Sequence, residues 1–342
     1  MIGPEQLAAG QRAETAGDYV AASAAYRAVV EVPDERLAAE AQFCLARVSW
    51  RQSRFDAALH SFESCRALAD RLGDEEMIAR VDNGIGAVHC ACGDYAAARR
   101  AYAAAGARTA DDALRGKILL NLGVIANIEG DFPIARDHYD RANQLFEACG
   151  DLASAMLALH NRGMVEADLE EWEPADASFL SALAIATERG EREMIAKCLV
   201  NRSEVLIERG QLTDAADHCD RALLIYADVG DEVGRGEALR WRAHALGRIG
   251  DHYEAERDAT EALRIAIRCG ARLLEAEAAR DLGVLRGLLG DRAGGNKQLR
   301  RSLSLFTELG ARRDAGEVAA LLQRPTPNRS LRRVELAAES DA

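Results

Sequence analysis

One feature governs what this chain can fold into: the same punctuation returns about every 40 residues. Turns begin at Gly130, Glu170, Gly210, Gly250 and Gly290, each 40 residues after the last, and upstream at Gly17, Ser53 and Gly93, with spacings of 36, 40 and 37. A second series, Gly73, Gly150, Gly190, Gly230, Gly270 and Gly310, marks the end of each unit. Glycine after a helix takes the left-handed conformation at little cost, so these positions read as helix stops. Each unit is therefore helix, tight turn, helix, stop. Eight turns predict eight helix pairs.

The residues between the punctuation keep the same register. Five after seven of the eight turn starts stands alanine, from Ala22 and Ala58 through Ala215 and Ala255. Nine after it stand Tyr26, Phe62, Tyr102, Tyr139 and Phe179. Seven before it, on the first helix, stand Gly86, Gly123, Gly163, Ser203, Ala243 and Gly283. Small residues at fixed positions let two helix backbones approach, and the aromatic is expected to fill the space between neighbouring units. Hydrophobic residues make up 49% of the chain and aromatics only 5%. The apolar content is thus mostly aliphatic and rich in Ala, the best helix former, which suits closely packed helices.

These residues resemble the tetratricopeptide repeat, with a small residue in the first helix, Gly-Asp-Tyr/Phe at the turn, and Ala, an aromatic and Ala in the second. The match runs from about residue 5 to about residue 310. Its unit length resembles the longer-helix, 40-residue subclass of kinesin light chains, Pins-type adaptors and bacterial Rap-type or maltose-activator-type regulators. The resemblance implies an all-α, right-handed superhelical solenoid of about eight helix-turn-helix units with a C-terminal capping helix. The expected solenoid spans residues 1–324, with repeats near 5–33, 37–73, 75–108, 111–150, 152–190, 192–230, 232–270 and 272–310, and a cap at 312–324. A polar, disordered tail is expected at 325–342. Gly294-Gly295, where a second helix should start, predicts a late or frayed start there, since each Gly costs about 1 kcal/mol relative to Ala.

The resemblance also implies that ligands lie on the first helix of each pair. Asn121, Asn161 and Asn201 recur there at one offset. Comparable asparagines in kinesin light chains and Pins-type adaptors bind a ligand's main chain, and an amide offers both donor and acceptor to a peptide unit. They could equally satisfy neighbouring helix ends. Arg162, Arg202 and Arg242 form a second series, with His160, Arg240, His244 and Arg280 at other groove-lining offsets. Arginine forks bind carboxylates bidentately, so an acidic partner is one reading and ion pairs to neighbouring Glu residues the other. Asn161-Arg162-Gly163 resembles part of a chaperone-tail carboxylate clamp. However, Leu120, Val124, His160 and Met164 stand where its other Lys and Asn residues would be needed.

Enzymatic and metal signatures are lacking. His89-Cys90-Ala91-Cys92 puts three ligand types on one helix without converging on a tetrahedral site. Cys219 takes the place of the packing aromatic, which suits a core role. No Gly-x-Ser-x-Gly or His-Glu-x-x-His string occurs. No cofactor, metal or catalytic residue is therefore expected. The formal net charge of −13 disfavours nucleic acid. No apolar run is long enough to span a membrane, and the N-terminus lacks signal-peptide character, so the expected location is cytoplasmic. The expectation is a binding protein for a protein or peptide partner, either an adaptor or a peptide-responsive regulator acting on a separate effector.

Overall fold

The computed structural model describes residues 2–323. The expected polar tail lies outside the described residues. Seventeen α-helices and no strand occur among the described residues. In chain order they are α1 (Ile2–Thr15), α2 (Tyr19–Val30), α3 (Glu35–Arg51), α4 (Phe55–Leu72), α5 (Glu75–Ala91), α6 (Tyr95–Arg108), α7 (Asp112–Ile128), α8 (Phe132–Cys149) and α9 (Leu152–Asp168). They continue as α10 (Trp172–Arg189), α11 (Arg192–Glu208), α12 (Leu212–Val229), α13 (Glu232–Ile249), α14 (His252–Cys269), α15 (Arg272–Leu289), α16 (Arg292–Glu308) and α17 (Arg312–Gln323). This is the all-α helical repeat solenoid expected from the period. The chain divides into two compact units, residues 1–185 and 186–342, and the division falls within the α10 segment of the sequence.

The Gly-Asp turn works through two neighbouring residues with different tasks. The glycine adopts a left-handed φ, as at Gly93 (79°), and closes the first helix. The aspartate caps the second: Asp94 accepts from the Ala97 N–H at 2.9 Å, and Asp18 accepts from Ala21 at 2.9 Å. Ser53 and Glu170 hold the same left-handed turn with φ of 56° and 60°, although they carry side chains.

In the N-terminal unit the small residue and the aromatic meet inside one helix pair. A Cβ added to Gly123 of α7 would lie 2.6 Å from the Tyr139 ring of α8, and one on Gly163 would lie 2.8 Å from Phe179. The knob therefore sits against its own pair's glycine, rather than only between neighbouring units. Tyr102, Tyr139 and Phe179 are all buried.

In the C-terminal unit α16 begins at Arg292 and runs straight through Gly294 and Gly295, so the expected late start does not occur. The reason is close backbone approach. A Cβ on Gly295 would stand 2.7 Å from the Gly283 carbonyl oxygen of α15. The missing side chain lets α15 and α16 touch, and Asp291 caps the start by accepting from the Gly294 N–H at 2.9 Å. The capping helix expected after Gly310 is α17, whose Val318 is buried against Leu305 and Phe306 of α16.

Candidate functional site

The first helix of each pair carries a stripe at positions 13, 9, 6 and 2 before the turn. Spacings of four, three and four keep it on one helix face. In the N-terminal unit it reads Lys117, Asn121, Val124 and Ile128 on α7, then Leu157, Asn161, Met164 and Asp168 on α9. In the C-terminal unit it reads Lys197, Asn201, Glu204 and Glu208 on α11, then Glu237, Trp241, His244 and Arg248 on α13. It ends with Glu277, Asp281, Val284 and Leu288 on α15. The asparagine series thus continues through Trp241 into Asp281, a residue the motif reading did not single out. Its register against Gly290 was the available signal.

Around α7 and α9 the stripe is built from amides and aliphatics. Asn121 donates through Nδ2 to Asn83 Oδ1 on α5 at 3.3 Å. Asn161 Oδ1 lies 3.4 Å from His160 Nδ1, and the buried His160 ring packs edge-on against Phe179. Ile128, Leu157 and Met164 are exposed beside these amides. Asn83 joins Asn121 although its offset from the turn differs by one residue.

The arginine one position further along turns toward the second helices. Arg162 donates from Nε to Ser178 Oγ at 3.0 Å and from Nη1 to Asp140 at 2.8 Å. Ser178 in turn donates to the buried Glu166. Burial raises the Glu166 carboxyl above its ordinary value, against the opposing help of Ser178 and Arg162. Arg242 repeats the device in the C-terminal unit. It grips Asp258 with Nε and Nη2 at 2.7 and 3.1 Å and pairs with Asp220 on α12. Arg202 occupies the equivalent register on α11.

The densest charge cluster forms where α13 faces α15. Asp281 is 6% exposed and gathers three of the residues singled out from sequence. Arg280 donates from Nε to its Oδ1 at 3.0 Å. His244 Nε2 approaches Oδ2 at 2.8 Å, close but not aligned as a hydrogen bond. Arg240 Nη1 lies 3.5 Å away, with its guanidinium over the Trp241 ring and its Nε 3.5 Å from Glu277. Burial alone would push the Asp281 carboxyl up. His244, Arg280 and Arg240 outweigh it and hold the group well below the usual carboxylate range.

Cys219 is fully buried, and its thiol is pushed up to about 12, chiefly by burial. A thiol held protonated is a poor nucleophile. Among the described residues no group of three His, Cys, Asp or Glu side chains could hold a metal ion. Among them, too, no helix is long and apolar enough to cross a membrane.

Comparison with known proteins agrees with this geometry. Residues 4–127, running from α1 to the end of α7, match the profile of the tetratricopeptide repeat-like domain family. The apo form of RapI superposes with a TM-score of 0.68 at 14% identity, over 94% of this chain and 96% of that one. The chain has a tetratricopeptide-repeat fold. A Rap protein complexed with Competence and Sporulation Factor shares this tetratricopeptide-repeat fold at a TM-score of 0.62 and 13% identity, again over 94% and 96%. So does a signal-transduction ATPase from Pyrococcus horikoshii with a tetratricopeptide repeat sensor, at 0.69 and 12%, over 87% of this chain and 47% of that one. No curated protein sequence matches the chain.

Proposed function

We propose that this protein is a non-catalytic adaptor that holds a protein or peptide partner on the first-helix faces of its repeats. The observation that carries the reading is the stripe. Packing positions stay small or apolar along the chain, whereas the stripe keeps its register and changes from amide to charged to aliphatic chemistry from repeat to repeat. A scaffold needs repetition; recognition needs variation on a fixed frame. Amides at Asn121, Asn161 and Asn201 would address a partner's main chain, while Ile128, Leu157 and Met164 would meet its apolar side chains. The cation series at His160, Arg162, Arg202, Arg240, Arg242, His244 and Arg280 would select acidic groups. His244 and Arg280 line a cavity, which makes them better placed for this than Arg162 and Arg242, which turn toward the second helices. The net charge of −13 argues against nucleic acid and fits a cytoplasmic protein.

Likeness to the Rap structures along nearly the whole chain supports a second reading, in which a bound peptide alters the repeat array and a separate effector reads the change. Hydrogen exchange with a captured partner tests the site. Protection concentrated on α7, α9, α11, α13 and α15 agrees with the proposal, and protection confined to α8, α12, α14 and α16 contradicts it. Small-angle scattering with and without that partner separates the readings: a regulator changes its radius of gyration and a rigid adaptor does not.

A further inference from the structure

In the C-terminal unit, α13, α15 and α17 line a cavity of about 570 Å³. Its floor is aliphatic. Val284 and Leu288 of α15 face Leu321 of α17, and Ala243 and Gly247 leave room opposite on α13. Leu288 is 64% exposed. The volume lies within the range of roughly 300–1,000 Å³ typical of ligand clefts, and an apolar floor with a few polar groups is their usual make-up. It has room for one or two side chains, not for a whole helix.

The rim decides which charge the occupant carries. Two acids line it. Asp281 is enclosed and already faced by Arg240, His244 and Arg280. Glu317 is half exposed and is met by Arg313 Nε at 3.3 Å. The guanidiniums are less occupied. Each has five N–H donors. Arg248 donates from Nη1 to Glu208 at 3.2 Å, and Arg280 donates from Nε to Asp281, with Asp314 only at 3.8 Å. The rim therefore holds spare N–H donors above an apolar floor, while Asp281 is faced by three cations and Glu317 is paired through one oxygen.

We infer that this cavity docks an internal segment of a partner protein, one that inserts a single Leu, Ile or Phe side chain and carries an Asp or Glu within two residues of it. The inference rests on the adaptor reading and narrows it to a partner chemistry at the last repeats. The apolar side chain covers Val284, Leu288 and Leu321. The acidic side chain takes the planar N–H forks of Arg248 and Arg280, which match a carboxylate better than a neutral amide. Glu317 stands against that carboxylate, so removing its charge strengthens the contact.

The test titrates the full chain into labelled nonapeptides, acetylated and amidated at their ends, with a central Leu-Glu or Phe-Glu, and reads fluorescence polarisation. Replacing the peptide Leu by Ala, or Leu288→Glu in the protein, weakens binding roughly tenfold or more. Replacing the peptide Glu by Gln, and Arg248→Gln in the protein, each weaken it about three- to tenfold. Glu317→Gln tightens it. Leu288, Arg248 and Glu317 are all exposed, and melting curves are to check that each variant folds. The inference is overturned if no peptide of the panel binds, if Lys in place of Glu binds equally well, or if Leu288→Glu leaves binding intact. It is also overturned if only peptides with a free C-terminal carboxylate bind. If the peptides fail while exchange protection by a captured partner still falls on α9 and α11, the cavity assignment falls and the adaptor reading stands. Protection on the second helices alone removes the adaptor reading, whatever the peptides do.

Discussion

The two units solve one packing problem with different residues. In the N-terminal unit a glycine faces an aromatic, as Gly86 faces Tyr102, Gly123 faces Tyr139 and Gly163 faces Phe179. In the C-terminal unit the same two positions hold Ser203 with Cys219, Ala243 with Ala259, and Gly283 with Leu299. The C-terminal unit thus replaces the ring by smaller side chains. The repeat fixes the place of contact, and residue identity varies at that place. The stripes differ in the same way. Around α7 and α9 they are amide and aliphatic; on α13 and α15 they surround one buried carboxylate.

The sharpest way to break this contrast is to remove that carboxylate. Asp281→Ala leaves Arg240, His244 and Arg280 crowded without their shared anion, and breaking a buried pair typically costs about 3–5 kcal/mol. Asn161→Ala in the N-terminal unit should stay within about 1 kcal/mol, because it removes a single weak amide contact. Chemical denaturation of the two variants checks this. Equal losses would mean that the charge cluster is no more structural than the amide stripe.

The pH dependence of the two buried acids should run in opposite directions. The Asp281 value is lowered on folding, so its stabilisation is complete above the unfolded carboxyl's titration near pH ~4 and drains as pH falls through the folded value. The Glu166 value is raised, so it favours the fold at low pH and loses that contribution as pH rises through its folded value. Melting curves of Asp281→Asn should accordingly converge with the native protein's only in acid. Glu166→Gln, which keeps an acceptor for Ser178, should gain on the native protein as pH rises toward neutral.

Packing volume gives the next smaller effect. Gly123→Ala drives a methyl into the Tyr139 ring and should cost about 1–3 kcal/mol. Adding Tyr139→Leu should recover part of that loss, because the smaller side chain leaves the added methyl more room. Failure of the rescue would mean that the two positions do not share one volume. Smaller still is the turn at Glu170, held at φ 60° with a side chain. Glu170→Gly should raise stability by about 0.5–1 kcal/mol, read as a higher melting temperature.

The period made the fold legible because glycine and aspartate act through local geometry that a single sequence displays. Ala22, Ala58 and Ala98 sit in the core where their register put them. Three features needed neighbours across the sequence. The glycines at 294 and 295 look like helix breakers until Gly295 is seen against α15 and Gly294 against its cap Asp291. The sequence leaves both groove contact and internal ion pairs open for the arginines at 162 and 242, and only the structure shows Asp140, Ser178, Asp220 and Asp258 beside them. Asp281 carries no motif, and only the distances to His244, Arg240 and Arg280 reveal it as the centre of a cluster.

The central claim is that the first-helix stripe binds the partner, and one measurement addresses it most directly. The affinity of a captured and identified partner should be compared between the native chain and the double variant Asn161→Ala, Asn201→Ala, with melting temperature recorded on the same samples. Each lost hydrogen bond to a peptide unit costs about 1 kcal/mol or more, so the account expects a loss on the order of tenfold to a hundredfold with little change in melting temperature. An unchanged affinity with a lowered melting temperature would contradict it, because the asparagines would then hold the repeats together and the partner would bind elsewhere.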